Sequence, residues 1–164
     1  MRMTDGTYSA MNQLMADCFN MNAVIDNLAY NLDYLYFNRI GDIVHHNMAH
    51  VMPVWADKFS DKMLELSARP VRLDIGGATE EYNDLLTIFE VLRNGLVEIL
   101  ENTRRLISLS DMNGDDEVRI FAEGFLEEVS LFVKQSEEWI NAAKVLSAQD
   151  FNIHIRDYTH FIEV

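Results

Sequence analysis

The chain has 164 residues, and 49% of them are hydrophobic, which excludes a disordered protein and allows one domain over residues 1–164. The formal net charge of −14 and the lack of any Lys/Arg cluster make direct binding to the phosphate backbone of DNA unfavourable. No apolar run approaches the roughly 20 residues of a membrane span, and the N-terminus lacks a signal-peptide pattern. The single cysteine, Cys18, permits no internal disulfide. These features predict a cytoplasmic protein without a membrane partner.

The first half of the chain predicts two long helices, because apolar residues recur there at intervals of three and four. The first helix is expected at about residues 9–38, and Gly41 marks a break. A second helix is expected at about residues 42–67. Because Pro53 lacks a backbone N–H, this helix should kink or restart there.

The second half of the chain predicts a connection and a third helix. Pro70 and the pair at residues 76–77, both glycines, disfavour helix over residues 68–79. Thr79 is the expected N-cap of the third helix, since acidic residues follow it in what would be the first turn.

Asn113-Gly114 predicts the reversal before a fourth helix, with Asp115 or Asp116 as its N-cap. Four amphipathic helices, one longer connection midway and no strand candidate predict an all-α, antiparallel four-helix bundle. The tail over residues 147–164 is expected to form a short helix or an extended arm, packed on the bundle or on a neighbouring subunit.

The stretch DIVHHNMAHVMPVWADKFSD contains three of the five histidines and is the candidate metal site. On a regular helix His46 and His50 lie one turn apart on one face, and Asp57 and Asp61 repeat that spacing. Asp42 precedes His46 by four residues and joins the same stripe. Imidazole together with carboxylate suits iron, zinc or manganese.

A single helix cannot close one site around these residues, because Asp42 and Asp61 are roughly 28 Å apart at 1.5 Å per residue. Two such helices that cross about a two-fold axis could pair opposite ends. The alternative is a polar interface stripe that is hydrogen-bonded without metal. His45 is expected to point about a quarter-turn away from His46 and to stay outside the site.

Three other stretches carry a family resemblance. ELSARPVRL resembles the end of the second helix in the Dps branch of the ferritin family, and MNQLMADCF looks like the start of its first helix. LISLSDMNGDDEVRIFAEGFLEEVSLFVKQSEEWINAA is similar to its third-to-fourth helix turn. The agreement in order and spacing runs from Met11 to Leu146. It implies a ferritin-like fold and a homo-oligomer, a dodecameric shell or at least a dimer, that oxidises ferrous iron and stores ferric iron.

The resemblance also implies metal ligands between two subunits. The Dps motifs His-x-x-x-Asp and Asp-x-x-x-Glu, aligned through Pro70, fall on Asp42/His46, with the ligand types exchanged, and on Asp57/Asp61. No histidine occupies the matching place near the end of the first helix, and the Glu-x-x-His motif of other ferritin branches is absent.

Two functions follow for the same chain. The first is a Dps-like, self-assembling protein that binds and oxidises ferrous iron and stores ferric iron. Its metal ligands would be Asp42, His46, His50, Asp57 and Asp61, with no separate catalytic residue, and another divalent metal could use the same ligands. The alternative is a ferritin-fold structural or interaction protein with a decayed metal site and no oxidase activity.

Overall fold

The computed structural model describes residues 1–164 and contains helices and irregular connections but no strand. None of the helices is both long enough and apolar enough to cross a membrane. The elements in chain order are α1 Asp5–Tyr34, α2 Asn38–Val44, a π-helical turn His45–Ala49, α3 Val51–Glu65, α4 Leu85–Met112, α5 Asp116–Val145, α6 Ala148–Ile153 and a 3₁₀ turn Ile155–Tyr158.

Hydrogen bonds at the two ends of the molecule show how the helices run. The backbone N–H of Arg2 donates to the carbonyl of Leu66 at 2.8 Å, and the hydroxyl of Thr4 donates to Asp115 at 2.7 Å. The start of α1, the end of α3 and the α4–α5 turn therefore share one end. At the other end, the side chain of Asn31 in α1 accepts the backbone N–H of Tyr82, which lies just before α4. The predicted antiparallel four-helix bundle, with one long crossover between α3 and α4, is confirmed.

The predicted apolar stripes meet in the bundle core. Trp55 of α3 is fully buried, and its ring lies 5.3 Å from that of Phe125 of α5, measured between centroids. Trp139 is also fully buried, 5.5 Å from Phe89 of α4. Burial of such large rings is a main source of stability, at about 25 cal/mol per Å² of apolar surface removed from water.

The break between α1 and α2 lies earlier than predicted. Tyr36, with φ of 65°, terminates the first helix in the left-handed conformation, whereas Gly41 is buried inside α2. The glycine is needed for a different reason: a Cβ at Gly41 would lie 2.3 Å from Oδ1 of Asp33. Gly41 therefore permits close packing of α2 against α1 and does not end a helix.

The start of α4 corrects another prediction. Thr79 is not an N-cap, because α4 begins at Leu85 and its N-cap is Asp84. The Asp84 carboxylate accepts the backbone N–H of Thr87 at 2.8 Å, which satisfies one of the free donors of the first turn.

Asparagine side chains of α1 hold the crossover in its extended path. Asn31 accepts the backbone N–H of Tyr82 at 2.9 Å, and the amides of Asn27 and Asn31 donate to the carbonyl of Glu80 at 2.9 and 3.2 Å. Nearer the other end, Asn12 accepts the backbone N–H of residue 71 at 2.8 Å. These side-chain bonds satisfy backbone N–H and carbonyl groups of the crossover, which have no helical partner.

The helix restart predicted near Pro53 takes the form of a π-turn. The N–H of His50 donates to the carbonyl of His45 at 3.1 Å, a bond that spans five residues, and α3 follows directly. Pro53 has no N–H to offer the carbonyl of Ala49. The side-chain amide of Asn22 in α1 donates to this carbonyl instead, at 2.8 Å.

The C-terminal tail packs on the bundle, as one of the predicted alternatives had it. Gln135 of α5 is fully buried. Its amide donates to the carbonyl of Tyr158 at 2.9 Å and accepts the N–H groups of His160 and Phe161 at 2.9 and 2.8 Å. Phe151 of α6 is fully buried as well.

The predicted reversal at Asn113-Gly114 is confirmed, with φ of 71° at Gly114. Asp115 is the N-cap residue of α5, but its carboxylate does not bond to that helix. It accepts the backbone N–H of Thr4 at 3.2 Å and the Thr4 hydroxyl at 2.7 Å. Burial would raise the pKa of Asp115, but hydrogen bonds from Thr7 and Thr4 lower it below its ordinary value.

Replacing this carboxylate, Asp115→Asn, should lower the free energy of unfolding at pH 7 by about 1–2 kcal/mol, because charge-assisted bonds to Thr4 are lost. A lowered folded-state pKa means that the stabilisation is present above the unfolded value of about 3.8 and is lost as the pH falls through the folded value. Urea denaturation at several pH values should show the difference shrinking in acid. Asp111→Asn, at an exposed carboxylate, is the control; a pH-independent difference would contradict the prediction.

The variant Asn31→Leu should loosen the crossover, because two hydrogen bonds disappear. Asn31 donates one of them to the carbonyl of Glu80 and accepts the other from the backbone N–H of Tyr82. Amide hydrogen exchange in residues 79–84 should become faster, and the bundle should lose roughly 1–2 kcal/mol of stability. Asn20→Leu, at an exposed position of the same helix, should leave exchange in this segment unchanged. Unaltered exchange in Asn31→Leu would show that Asn31 does not hold the segment.

Candidate metal centre

The π-turn brings three histidines together. On an α-helix, side chains five residues apart point in different directions. In a π-turn the backbone N–H of residue i+5 donates to the carbonyl of residue i, and this places the two side chains one above the other. The rings of His45 and His50 are therefore the closest pair, with centroids 4.5 Å apart. The ring of His46 lies 4.8 Å from that of His45 and 5.1 Å from that of His50. The expectation that His45 points away from His46 is wrong.

These three side chains could hold a metal ion. Each offers one ring nitrogen, and the three nitrogens lie within 4.8 Å of one another. His45 is half-buried, whereas His46 and His50 are exposed. No other group of three or more His, Cys, Asp or Glu side chains has this arrangement.

Asp26 of α1 lies behind the histidines. Its Oδ1 is 3.4 Å from Nδ1 of His45, and this buried oxygen has no hydrogen-bond partner. The ring of Tyr30, one turn further along α1, lies 6.5 Å from the ring of His45. His45 is thus enclosed by α1 on one side and open to His46 and His50 on the other.

Asp42 of α2 lies near Asp33, which like Asp26 belongs to α1. Burial and the negative charge of Asp42 raise the pKa of Asp33, and nearby His45 partly opposes this by lowering it. Asp26 therefore lies beside His45, and Asp33 is close enough for its charge to interact with those of His45 and Asp42. A cation at this place would relieve the repulsion between carboxylates.

Asp57 and Asp61 are exposed and stand apart from the histidines of the same chain. They follow His50 by seven and eleven residues, which is about 10 and 16 Å along a helix. Because the π-turn accommodates an extra residue, the stripe through both aspartates continues to His50 and His45. His46 flanks this stripe and does not lie on it.

The interior of the bundle has a different character from this surface. Glu128 of α5 contacts the buried Trp55. Its carboxylate accepts Nε1–H of Trp55 at 2.8 Å and forms an ion pair with Lys58. Among the buried side chains, the only carboxylate is Asp115, at the end of the bundle. The apolar interior therefore offers no cluster of metal ligands.

Sequence reasoning missed one member of the candidate centre, His45, and two carboxylates of α1 near it, Asp26 and Asp33. A signal for His45 was present, since a proline distorts the helical turn that precedes it and thereby changes which residues share a face. For Asp26 and Asp33 no local signal existed, because their relation to His45 depends on how α1 packs against α2.

The chain also matches a known protein family over most of its length. A family model described as a ferritin-like domain matches residues 8–145, a region that contains α1 to α5 almost completely. Members of this family typically bind iron. A comparison with curated proteins gave no match. The four-helix topology and the extent of the family match together show that this chain belongs to the ferritin-like family.

Proposed function

We propose that this ferritin-like protein assembles with copies of itself and, like Dps proteins, binds ferrous iron, oxidises it and stores ferric iron. The observation that carries the proposal is that two groups of possible ligands lie along one rod, which consists of α2, the π-turn and α3. The imidazoles of His45, His46 and His50 cluster at the π-turn, and the exposed carboxylates of Asp57 and Asp61 lie on α3.

The distance between the two groups supports a site shared by two chains. About 10–16 Å separates the aspartates from His50 along α3, which is too far for one metal centre. Two rods that cross in opposite directions about a two-fold axis would set the histidines of one copy beside the aspartates of its partner. The resulting mixture of imidazole and carboxylate suits iron.

Apolar residues on the same face support self-association. Val54 and Leu64 are 53% and 61% exposed, and they flank the two aspartates along α3, with Val54 three residues before Asp57 and Leu64 three residues after Asp61. Exposed apolar side chains beside polar ligands suit a surface that a partner covers. A second copy would remove these side chains from water and exclude bulk solvent from the ligands.

The chemistry then follows from the ligand set. Carboxylates stabilise the higher charge of ferric iron, while the imidazoles hold the ferrous ion on arrival. Each ferrous ion gives one electron, so two ferrous ions and two protons reduce one hydrogen peroxide to two waters, and four ferrous ions and four protons reduce one dioxygen to two waters. The net charge of −14 raises the local concentration of cations around an assembled particle.

Self-assembly is tested by light scattering. The protein should be larger than its 19.0 kDa monomer, and Val54→Glu should reduce the size because a buried charge at the interface is unfavourable. Ser108→Glu, at an exposed position of α4, is the matched control. A wild-type protein that is monomeric at micromolar concentration would rule out the shared site.

Iron oxidation is tested with the double variant Asp57→Asn, Asp61→Asn. Its initial rate of ferrous oxidation should fall at least roughly tenfold, since two carboxylate ligands are lost. The double variant Asp74→Asn, Asp111→Asn carries the same change in charge at two exposed carboxylates and should keep the wild-type rate. A wild-type rate equal to the uncatalysed background would instead favour a structural or interaction role with a decayed site.

A further inference from the structure

We propose that each chain binds one Zn²⁺ ion through His45, His46 and His50, with Asp26 as a positioning residue for His45. The site requires neither a second chain nor iron oxidation, although it shares histidines with the proposed iron face. Water would fill the fourth position of the ion. The ligand set consists of neutral imidazoles alone, which distinguishes it from a mixed iron site.

The geometry of the π-turn supports this site. Zinc binds histidine nitrogen at about 2.0–2.1 Å, so two nitrogens on one ion are at most about 4.2 Å apart. The three ring nitrogens already lie within 4.8 Å of one another, and the exposed rings of His46 and His50 can rotate to close the remaining gap. Three histidines with an open fourth position form an established zinc geometry.

Asp26 provides an independent observation. Its Oδ1 is buried and has no hydrogen-bond partner, a condition that is unfavourable for a carboxylate oxygen. Nδ1 of His45 lies 3.4 Å away. A small rotation of the ring would let Nδ1–H donate to this oxygen and would direct Nε2 toward the ion. Metal-bound histidines commonly make this contact to a carboxylate, which orients the ring and raises its basicity.

The all-nitrogen set favours zinc over ferrous iron. Affinities of nitrogen sites rise from Fe²⁺ toward Cu²⁺ and remain higher for Zn²⁺ than for Fe²⁺ in most cases. Within one chain, Asp57 and Asp61 are too distant to add the oxygen ligands that would suit iron better. The histidines are therefore a zinc site in the chain by itself, and they become part of an iron site only when a partner supplies carboxylates.

Zinc binding is tested by calorimetric titration of the metal-free, untagged protein with ZnCl₂, together with the visible absorption of the Co²⁺-loaded form. One Zn²⁺ per chain should bind, and the cobalt spectrum should have the intensity of a four-coordinate site. His45→Gln should lower the affinity at least about tenfold, and Asp26→Asn should lower it by about 10–100-fold. Circular dichroism of the metal-free variants verifies that each remains folded.

His154→Gln is the matched control, because His154 is exposed and its Nδ1 lies 3.5 Å from the carboxylate of Asp157, much as His45 lies beside Asp26. It should keep the wild-type zinc affinity. The double variant Asp74→Asn, Asp111→Asn, at two exposed carboxylates away from the histidines, should also keep it. No stoichiometric zinc binding by the wild type, or equal affinities in wild type and His45→Gln, would overturn the zinc site without affecting the test of iron oxidation.

Discussion

The missing N–H of Pro53 is the constraint on which the candidate centre depends. A proline inside a helix cannot bond to the carbonyl four residues earlier, and its ring crowds that carbonyl. Here the turn before Pro53 widens into the π-turn His45–Ala49, and the carbonyl of Ala49 accepts a bond from Asn22 of α1. The widened turn changes which residues stack. His45 and His50 come to share a face only because of it.

Helix α1 supports the irregular parts of the molecule. Its asparagines bond to backbone groups that have no helical partner: Asn12 to the start of the crossover, Asn22 to the π-turn, and Asn27 and Asn31 to the end of the crossover. Asparagine suits this role because its amide both donates and accepts. The same helix contributes Asp26 and Asp33 to the surroundings of the histidines, so scaffold and site share one element.

The division between an apolar interior and a polar surface decides where metal chemistry can occur. Glu128, the carboxylate beside Trp55, is already paired with Lys58. The other buried side chains are mainly apolar and aromatic, and Asp115, the one carboxylate among them, already accepts hydrogen bonds from Thr4. The available ligands lie on the outer face of α2 and α3, where single chains offer imidazoles and carboxylates at separate places. A metal site with both ligand types therefore requires self-association, because one chain cannot bring its imidazoles and the carboxylates of α3 together.

Much of the fold could be predicted from local patterns. The four-helix bundle, the reversal at Asn113-Gly114 and the buried rings follow from the periodicity of apolar residues and from turn chemistry, both of which act over a few residues. The break at Gly41 and the cap at Thr79 were wrong for a common reason. Gly41 serves close packing against Asp33, and the segment after Thr79 is held extended by asparagines of α1. Such contacts have no trace in the local pattern.

The same distinction applies to the candidate centre. Sequence alone determined the ligand types and the repeated spacing of His46/His50 and Asp57/Asp61, because residues three or four apart share a helical face. Only the tertiary structure decided that His45 joins the other histidines and that Asp26 lies behind it. The reason is physical: a π-turn alters the helical register by one residue, and the neighbour across a helix pair depends on packing between segments distant in the chain.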